Sequence, residues 1–571
     1  MAAQRGRPAG ETGSTLSLTN IQAAQAGCYG VVGTSVGQGT VTNFTYLQVD
    51  TQFSKITSEP PVTELGCSWG AAWGDADGDG FADLYVARQG SAVLYRNDQD
   101  GTFTALTNGP FPPGPEPWTS GAWADFDNDG RQDLLTTRFG RLPLLYFNEG
   151  DGSFSPLEVA RCLNWGIAVA DYNQDGLLDL LLSTGVTAGS SGVCMLFRNN
   201  GDRTFTRMTA LQEAGPIVSA PNFGAASWGD YDDDGLMDAF SPYFSGTSSV
   251  FHNQGNGLFS SAMSQVRKNA QIIAGAWGDY DNDGNLDLCA AAWNGRTEVY
   301  RNLGSGEFQA AAVGPEIRGD FSSSSWADYD NDGFLDLFLA GADNLLLHND
   351  GTGSFTRMTV GSIPTENPVG GASLSYSALW FDYDNDGFLD LYVSNGDDPR
   401  ATKTANFFYH NNGNENRWLQ VRLVGTVSNR DAVGAKVRVR AIYDRQWRWQ
   451  RRDITGGDGY NGNHRYAHFG LSNARGADIV RIEWPSGTIQ ELRNVPANQI
   501  LTVTEPPALE ALGEGRLRIL CWARQNYEVE VSDDLVTWTS LGVVATEQHR
   551  PVVLDPGATG HTHRFYRAKG G

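Results

Sequence analysis

The stretch Asp382-Tyr383-Asp384-Asn385-Asp386-Gly387-Phe388-Leu389-Asp390, set in LWFDYDNDGFLDLYVSN, decides how this chain reads. Acidic residues take its first, third, fifth and ninth places, and glycine takes the sixth. Carboxylates at alternate positions of a tight turn converge on one point. A hard cation that takes six to eight oxygens fits there, which selects Ca²⁺. The seventh residue is expected to contribute its backbone carbonyl, and the glycine permits the sharp bend.

The phrase occurs seven times, starting at Asp75, Asp125, Asp171, Asp230, Asp279, Asp328 and Asp382, at steps of 50, 46, 59, 49, 49 and 54 residues. Periods of this size mark propellers and solenoids. About seven structural calcium ions are therefore expected. The expected ligands of the first loop are Asp75, Asp77, Asp79, Phe81 and Asp83, and of the second Asp125, Asp127, Asp129, Arg131 and Asp133. The third has Asp171, Asn173, Asp175, Leu177 and Asp179, and the fourth Asp230, Asp232, Asp234, Leu236 and Asp238. The fifth has Asp279, Asp281, Asp283, Asn285 and Asp287, and the sixth Asp328, Asp330, Asp332, Phe334 and Asp336. Asp382, Asp384, Asp386, Phe388 and Asp390 complete the set, the seventh-position residue acting through its carbonyl throughout. Asn173 keeps an oxygen donor but loses a charge, so the third site is expected to be the weakest.

More than the loop repeats. An apolar strand precedes it and carries an aromatic two places before the first Asp (Trp73, Trp123, Trp228, Trp277, Trp326, Trp380), with Val169 the exception. A second apolar strand follows, such as LDLYVS. A third ends in a dipeptide with Asn, such as Arg96-Asn97 or His410-Asn411, and a fourth opens on Phe after a Gly-rich turn. Four short strands per unit predict the blades of an all-β, seven-bladed propeller. The seventh unit lacks its own Phe-led strand, and Phe53-Ser-Lys-Ile56 stands unclaimed before the first. Residues 53–59 are therefore expected to close the ring as the outer strand of the seventh blade. An EF-hand is excluded by strand flanks and by Val86 and Val393 at position twelve, where a bidentate Glu would stand.

These repeats resemble the FG-GAP/VCBS family of integrin α-subunit propellers and many secreted bacterial proteins. All seven loops meet its pattern D-x-[DN]-x-D-G-x-x-D over residues 53–412. Residues 416–505 resemble the ASPIC/UnbV domain that follows such repeats in cartilage acidic protein-like proteins. That resemblance rests on Asn429-Arg430, Gly434-Ala435, Gly456-Gly457, Gly459-Tyr460, His468-Phe469-Gly470-Leu471 and Trp484-Pro485-Ser486-Gly487; Asn461 replaces a frequent Ser. Residues 1–50 resemble the last strands of an immunoglobulin-like domain through Leu16, Leu18, Asn20, Ala26, Gly27 and Tyr29, with Val31 at the disulfide cysteine's place. Earlier strands and a signal peptide are expected upstream. Residues 508–571, after Pro506-Pro507, read as a small β-sandwich.

The formal charge is −25, from 41 Lys+Arg against 66 Asp+Glu. Nucleic-acid binding is disfavoured at that balance, and much of the charge sits in loops that a cation would neutralise. No apolar run spans a bilayer. The six cysteines show no CxxC and read mostly as free thiols, with Cys162–Cys194 the one pairing considered. Candidate chemistry is thin. Asp458, His464, Arg465 and His468 cluster in sequence, but His468 reads as a structural, hydrogen-bonded residue, and Ser486 as a turn serine. No catalytic residue is assigned. Trp447 and Trp449 alternate with arginines on a strand. Exposed, they would stack on sugar rings or a partner; the preferred reading is core, with the arginines docking on the acidic propeller.

The expectation is a monomeric, secreted or cell-surface, calcium-stabilised binding or adhesion module for an extracellular protein or glycan. A polysaccharide-active lyase or hydrolase with its site at the channel mouth is the alternative, and a purely structural surface spacer a third reading.

Overall fold

Each of the first six repeats supplies four antiparallel strands, each paired with the next. The computed structural model describes residues 27–35 and 39–47 and, with short interruptions of which 185–191, 364–373 and 397–403 are the longest, residues 52–570. In the first unit Ser68–Gly74, Asp83–Arg88, Ser91–Asn97 and Phe103–Ala105 pair in that order. In the sixth the same order runs Phe321–Ala327, Asp336–Gly341, Leu345–Asn349, Phe355–Arg357. The seventh sheet takes three strands from the last repeat, Leu374–Phe381, Asp390–Gly396 and Phe407–Asn411. Its fourth is Phe53–Ile56, with Phe53 opposite Asn411 and Ile56 opposite Phe408.

The second strands DLYVAR, DLLTTR, DLLLST and DLFLAG are buried at every position. A sheet covered on both faces selects such unbroken apolar runs over alternation. The cover is the neighbouring sheet. Trp73, Leu84 and Phe103 of the first unit share one core with Phe381, Tyr392 and Phe408 of the seventh. Tyr231 and Phe240 of the fourth share another with Leu288 and Tyr300 of the fifth. First strands pack side by side, and Leu374–Phe381 returns to lie against Ser68–Gly74, closing a ring.

The asparagine at the end of each third strand explains its own recurrence. Asn302 Nδ2 donates to the carbonyl of Leu286 in its own unit (3.1 Å) and to that of Tyr231 in the preceding one (2.6 Å). Asn97, Asn148, Asn199, Asn253, Asn349 and Asn411 likewise reach the preceding unit, with Asn97 of the first reaching Tyr383 of the seventh. Each clamp lands on the second residue of a neighbouring acidic loop. Asn148 escapes the sequence pattern because Phe147, not Arg or His, precedes it.

Residues 417–504 make two further sheets. Tyr466–Ser472, Arg417–Val424 and Ile500–Thr504 form one; Gln446–Asp453, Lys436–Tyr443, Gly476–Glu483 and Ile489–Pro496 form the other. Their core of Leu419, Val437, Val439, Phe469, Val480 and Ile482 is continuous with that of the second to fourth units. From it a tongue enters the hub: Asp458–Gly459 pairs with Ile167 and Ala168 of the third unit, and Asn461–Gly462 with Ala71 and Ala72 of the first. Beyond Pro507, two three-stranded sheets enclose Leu517, Ile519, Tyr527 and Val529. At the other end Gly27–Ser35 pairs with Gly39–Leu47; the strand read before Gly27 lies outside the described residues.

Cys194 is buried with Sγ 3.4 Å from Ser241 Oγ, and Cys162 lies outside the described residues. One expectation is corrected. Trp447 and Trp449 are not core: they are 55% and 40% exposed. Their strand pairs Ile442 with Trp447 and Arg440 with Trp449, while Val437, Val439, Ala441 and Tyr443 fill the buried face. Period-two alternation names the residues that share a face but not which face turns inward.

Candidate metal centres

Every acidic phrase is the turn between a first and a second strand, and its side chains fold it. Asp382 accepts the Asp386 N–H on Oδ1 (2.9 Å) and the Gly387 N–H on Oδ2 (2.8 Å). The same pair of bonds shapes the loops headed by Asp75, Asp125, Asp171, Asp230 and Asp328. The fifth carboxylate takes the N–H of the seventh residue: Asp79 from Phe81, Asp129 from Arg131, Asp175 from Leu177 and Asp234 from Leu236. Asp283 with Asn285, Asp332 with Phe334 and Asp386 with Phe388 repeat the contact. The ninth, as Asp390, accepts Tyr383 N–H on one oxygen and Asn411 N–H on the other. The glycines at position six have φ of 86–98°, the region other residues avoid.

The arrangement fits a hard cation. Asp125, Asp127 and Asp133 each place an oxygen within 4.8 Å of the others, as do Asp75, Asp77 and Asp79. Asp127 Oδ1, Asp232 Oδ1 and Asp279 Oδ1 are buried and accept no hydrogen bond. Burial pushes the metal-free carboxyls up, and neighbouring carboxylates add to the rise. Asp83 and Asp336 reach about 8, Asp238 and Asp287 about 9, and Asp390, Asp171 and Asp279 about 7. Asp125, Asp328 and Asp382 also stand well above the usual carboxylate range. Oxygen-only donors of high charge suit Ca²⁺ and would release protons on binding it. Beside three loops an imidazole joins the carboxylates: His252 with Asp232 and Asp238, His348 with Asp330 and Asp336, His410 with Asp384 and Asp390. The hydrogen bond to Asp336 raises His348 to about 9.

Position four is a part of the site that sequence reasoning missed. Asn128, Gln174, Asp233, Asn282, Asn331 and Asn385 sit there with φ of 55–64°, which Asn tolerates better than most residues. Four of them link loop to loop through their amides. Asn128 donates to Gly176 O, Gln174 to Gly235 O, Asn282 to Gly333 O and Asn331 to Gly387 O, at 2.9–3.0 Å. Asp233 breaks this chain because a carboxylate cannot donate. The segment 416–505 repairs it. Lys436 Nζ reaches Asp233 (2.6 Å) and Asp230 (2.5 Å); Arg438 Nη2 grips both Asp233 oxygens at 2.9 Å. Arg438 and Arg451 then donate to Gly284 O, the carbonyl an amide at position 233 would have met.

The acidic loops are thus also the seat of the second domain. Asp431 accepts the Asp125 N–H (2.7 Å), and Arg430 N–H donates to Asn128 Oδ1 (2.8 Å). Gly470 N–H meets Asp328 Oδ2 (3.0 Å), and Gln420 Nε2 meets Asp382 Oδ2 (2.5 Å). Trp418 lies against Gly387, where a Cβ would come 1.6 Å from the indole. His468 is buried with Nε2 2.7 Å from Asn331 Oδ1, a docking contact. His464 and Arg465 lie outside the described residues, so the Asp458/His464/Arg465/His468 cluster is described only at His468 and in the backbone of Asp458.

Comparison with known proteins matches two family models. The FG-GAP-like repeat matches residues 75–136, 230–290, 279–339 and 328–393, and ASPIC and UnbV matches 425–510. Cartilage acidic protein 1 of Homo sapiens is 35% identical over 125 residues, 22% of this chain and 18% of that protein. The Xenopus tropicalis protein is 32% identical over 146 residues, 24% of this chain and 21% of that one. The matched stretch therefore spans about a fifth of these relatives' length. Among solved structures, an Agrocybe aegerita lectin that recognises non-reducing terminal N-acetylglucosamine aligns at TM-score 0.38 and 20% identity, over 58% of this chain and 88% of its own. Bacillus licheniformis rhamnogalacturonan lyase PL11 aligns at TM-score 0.37 and 12% identity, over 67% and 80%.

Proposed function

We propose that this chain, which carries FG-GAP-like repeats and an ASPIC and UnbV domain, is a calcium-stabilised extracellular binding module. The observation that supports this best is the seating of residues 416–505 on the second, fourth and fifth loops, where Asp127, Asp232 and Asp279 have buried oxygens with no hydrogen-bond donor. Calcium in those loops would cancel their mutual repulsion, fix the turns and so hold the second domain. A medium rich in calcium suits such sites, which supports secretion. The ions are structural: carboxylates committed to a cation and to backbone N–H groups are not free to move protons for a reaction. The tongue at 458–462 lies among the inner strands, where a channel-mouth enzyme would receive substrate; this favours binding over polysaccharide cleavage. Chelation with EDTA should lower the melting temperature and added Ca²⁺ restore it, with about seven ions per chain retained after dialysis. A protein that retains no calcium and melts identically with and without EDTA would refute the proposal.

A further inference from the structure

Trp447 and Trp449 stand on the face of their sheet that is turned away from the core, 55% and 40% exposed, with Ile442 beside them at 44%. Large apolar side chains grouped on an outer face mark a contact surface. These are held in place before any contact is made. The Arg440 guanidinium stacks 4.7 Å from the Trp447 ring and 5.5 Å from that of Trp449, and Asp478 fixes it through Nε at 3.1 Å. Rings ordered in advance lose little freedom on binding.

Beside Trp447 opens a recess of about 400 Å³, walled by Ile442, Arg475, Asp478, Asn494 and Val495. That volume lies in the small-molecule range and is right for one or two pyranose rings. The lining is also of the right kind. An indole face packs against the C–H face of a sugar, while Asp478 and Asn494 offer an acceptor and an amide to hydroxyls. The charge of the rim narrows the class. Arg440 is neutralised by Asp478, but Arg475 at the recess and Arg445 at the adjoining hairpin turn are exposed and make no ion pair among the described residues. Two arginines without an ion-pair partner among the described residues, beside exposed tryptophans on a chain of net charge −25, are a local attraction for an anion.

We infer that the Trp447–Trp449 face and its recess bind an acidic polysaccharide, with the indoles stacking on sugar rings and Arg475 meeting a carboxylate or sulfate. This rests on the binding-module reading and names its partner class. The test is native affinity electrophoresis of the full chain with Ca²⁺ present, in gels carrying hyaluronan, dextran sulfate or neutral dextran. Retardation is expected with hyaluronan, dextran sulfate or both, which separates carboxylate from sulfate recognition, and not with dextran. Trp447→Ala/Trp449→Ala should raise the apparent Kd at least tenfold, and Arg475→Gln several-fold, at unchanged melting temperature. No retardation in either anionic gel, equal retardation by dextran, or full retardation of the double variant would overturn the inference. The calcium-dependent melting shift would stand in each of those cases, so the two readings fail separately.

Discussion

Asn302→Ala tests whether the ring is held by its asparagine clamps. The side chain is fully buried; its Nδ2 donates to Tyr231 O at 2.6 Å and Leu286 O at 3.1 Å, and its Oδ1 accepts Gly304 N–H at 3.0 Å. Alanine leaves two carbonyls and one N–H without partners in a site that admits little water. Each such group costs about 1–3 kcal/mol, and because the three share one side chain the total is set nearer about 3–5 kcal/mol than their maximum. One kcal/mol moves the midpoint of a 150–250-residue domain by about 2–4 °C and that of a larger ring by roughly half as much, so Asn302→Ala should melt about 3–10 °C lower. The assay is thermal unfolding in excess Ca²⁺, with Thr206→Ala on an exposed outer strand as control. Since Tyr231 is the second residue of the fourth acidic loop, the variant should also lose its calcium there more readily to EDTA. A drop under about 1 °C would refute the clamp argument.

Other outcomes follow from the same geometry. Gly387→Ala should be severely destabilising, because its Cβ would meet Trp418 at 1.6 Å and its φ is 90°; limited proteolysis should then cut near residues 412–416. Lys436→Met removes the cation from Asp230 and Asp233; as Asp233 is 44% exposed, about 1–3 kcal/mol is expected, read as easier proteolytic release of the second domain. Asn173→Asp should tighten the third calcium site, seen as later EDTA release of one ion. Without metal, Asp83, Asp238, Asp287 and Asp336 hold protons up to about 8 or 9 that the unfolded chain sheds near 4. Raising the pH through that window therefore costs the metal-free fold stability, and the gain in melting temperature on adding Ca²⁺ should be larger at pH 8.5 than at pH 6. Equal gains at the two pH values would contradict the assignment of these carboxyls.

The sheets were legible because each unit repeats the same local instructions: an apolar strand, a turn with glycine at its sixth place, an unbroken apolar strand, a Phe-led edge. Phe53–Ile56 was legible for the opposite reason, as a strand without a unit. What stayed hidden depends on neighbours in space. Asn302 reads as a strand end until Tyr231 of the previous unit is seen beside it. Asn128 and Asn331 read as filler between ligands, although their amides link adjacent loops. Asp233 looks like one more acid, and only Lys436, Arg438 and Arg451, some two hundred residues on, show why it can stand where five other loops carry an amide. Trp447 and Trp449 share the alternation of a core strand, and the turn of the sheet that exposes them is written in the apolar face opposite.

The strand Phe53–Ile56 sets how the ring bears a load. Phe53 lies opposite Asn411, and the Asn412 N–H bonds Gln52 O at 2.7 Å, so the chain enters and leaves the propeller at one and the same point. Tension between the two flanks would open that pair from its end, one bond after another, as a zipper and not in shear. Just past the seam the chain is tied down again, by Asn414 and Asn416 on Asp330 O and by Trp418 over Gly387. Pulled from outside, the molecule would give first at its seam, while the second domain stays anchored on the sixth and seventh loops.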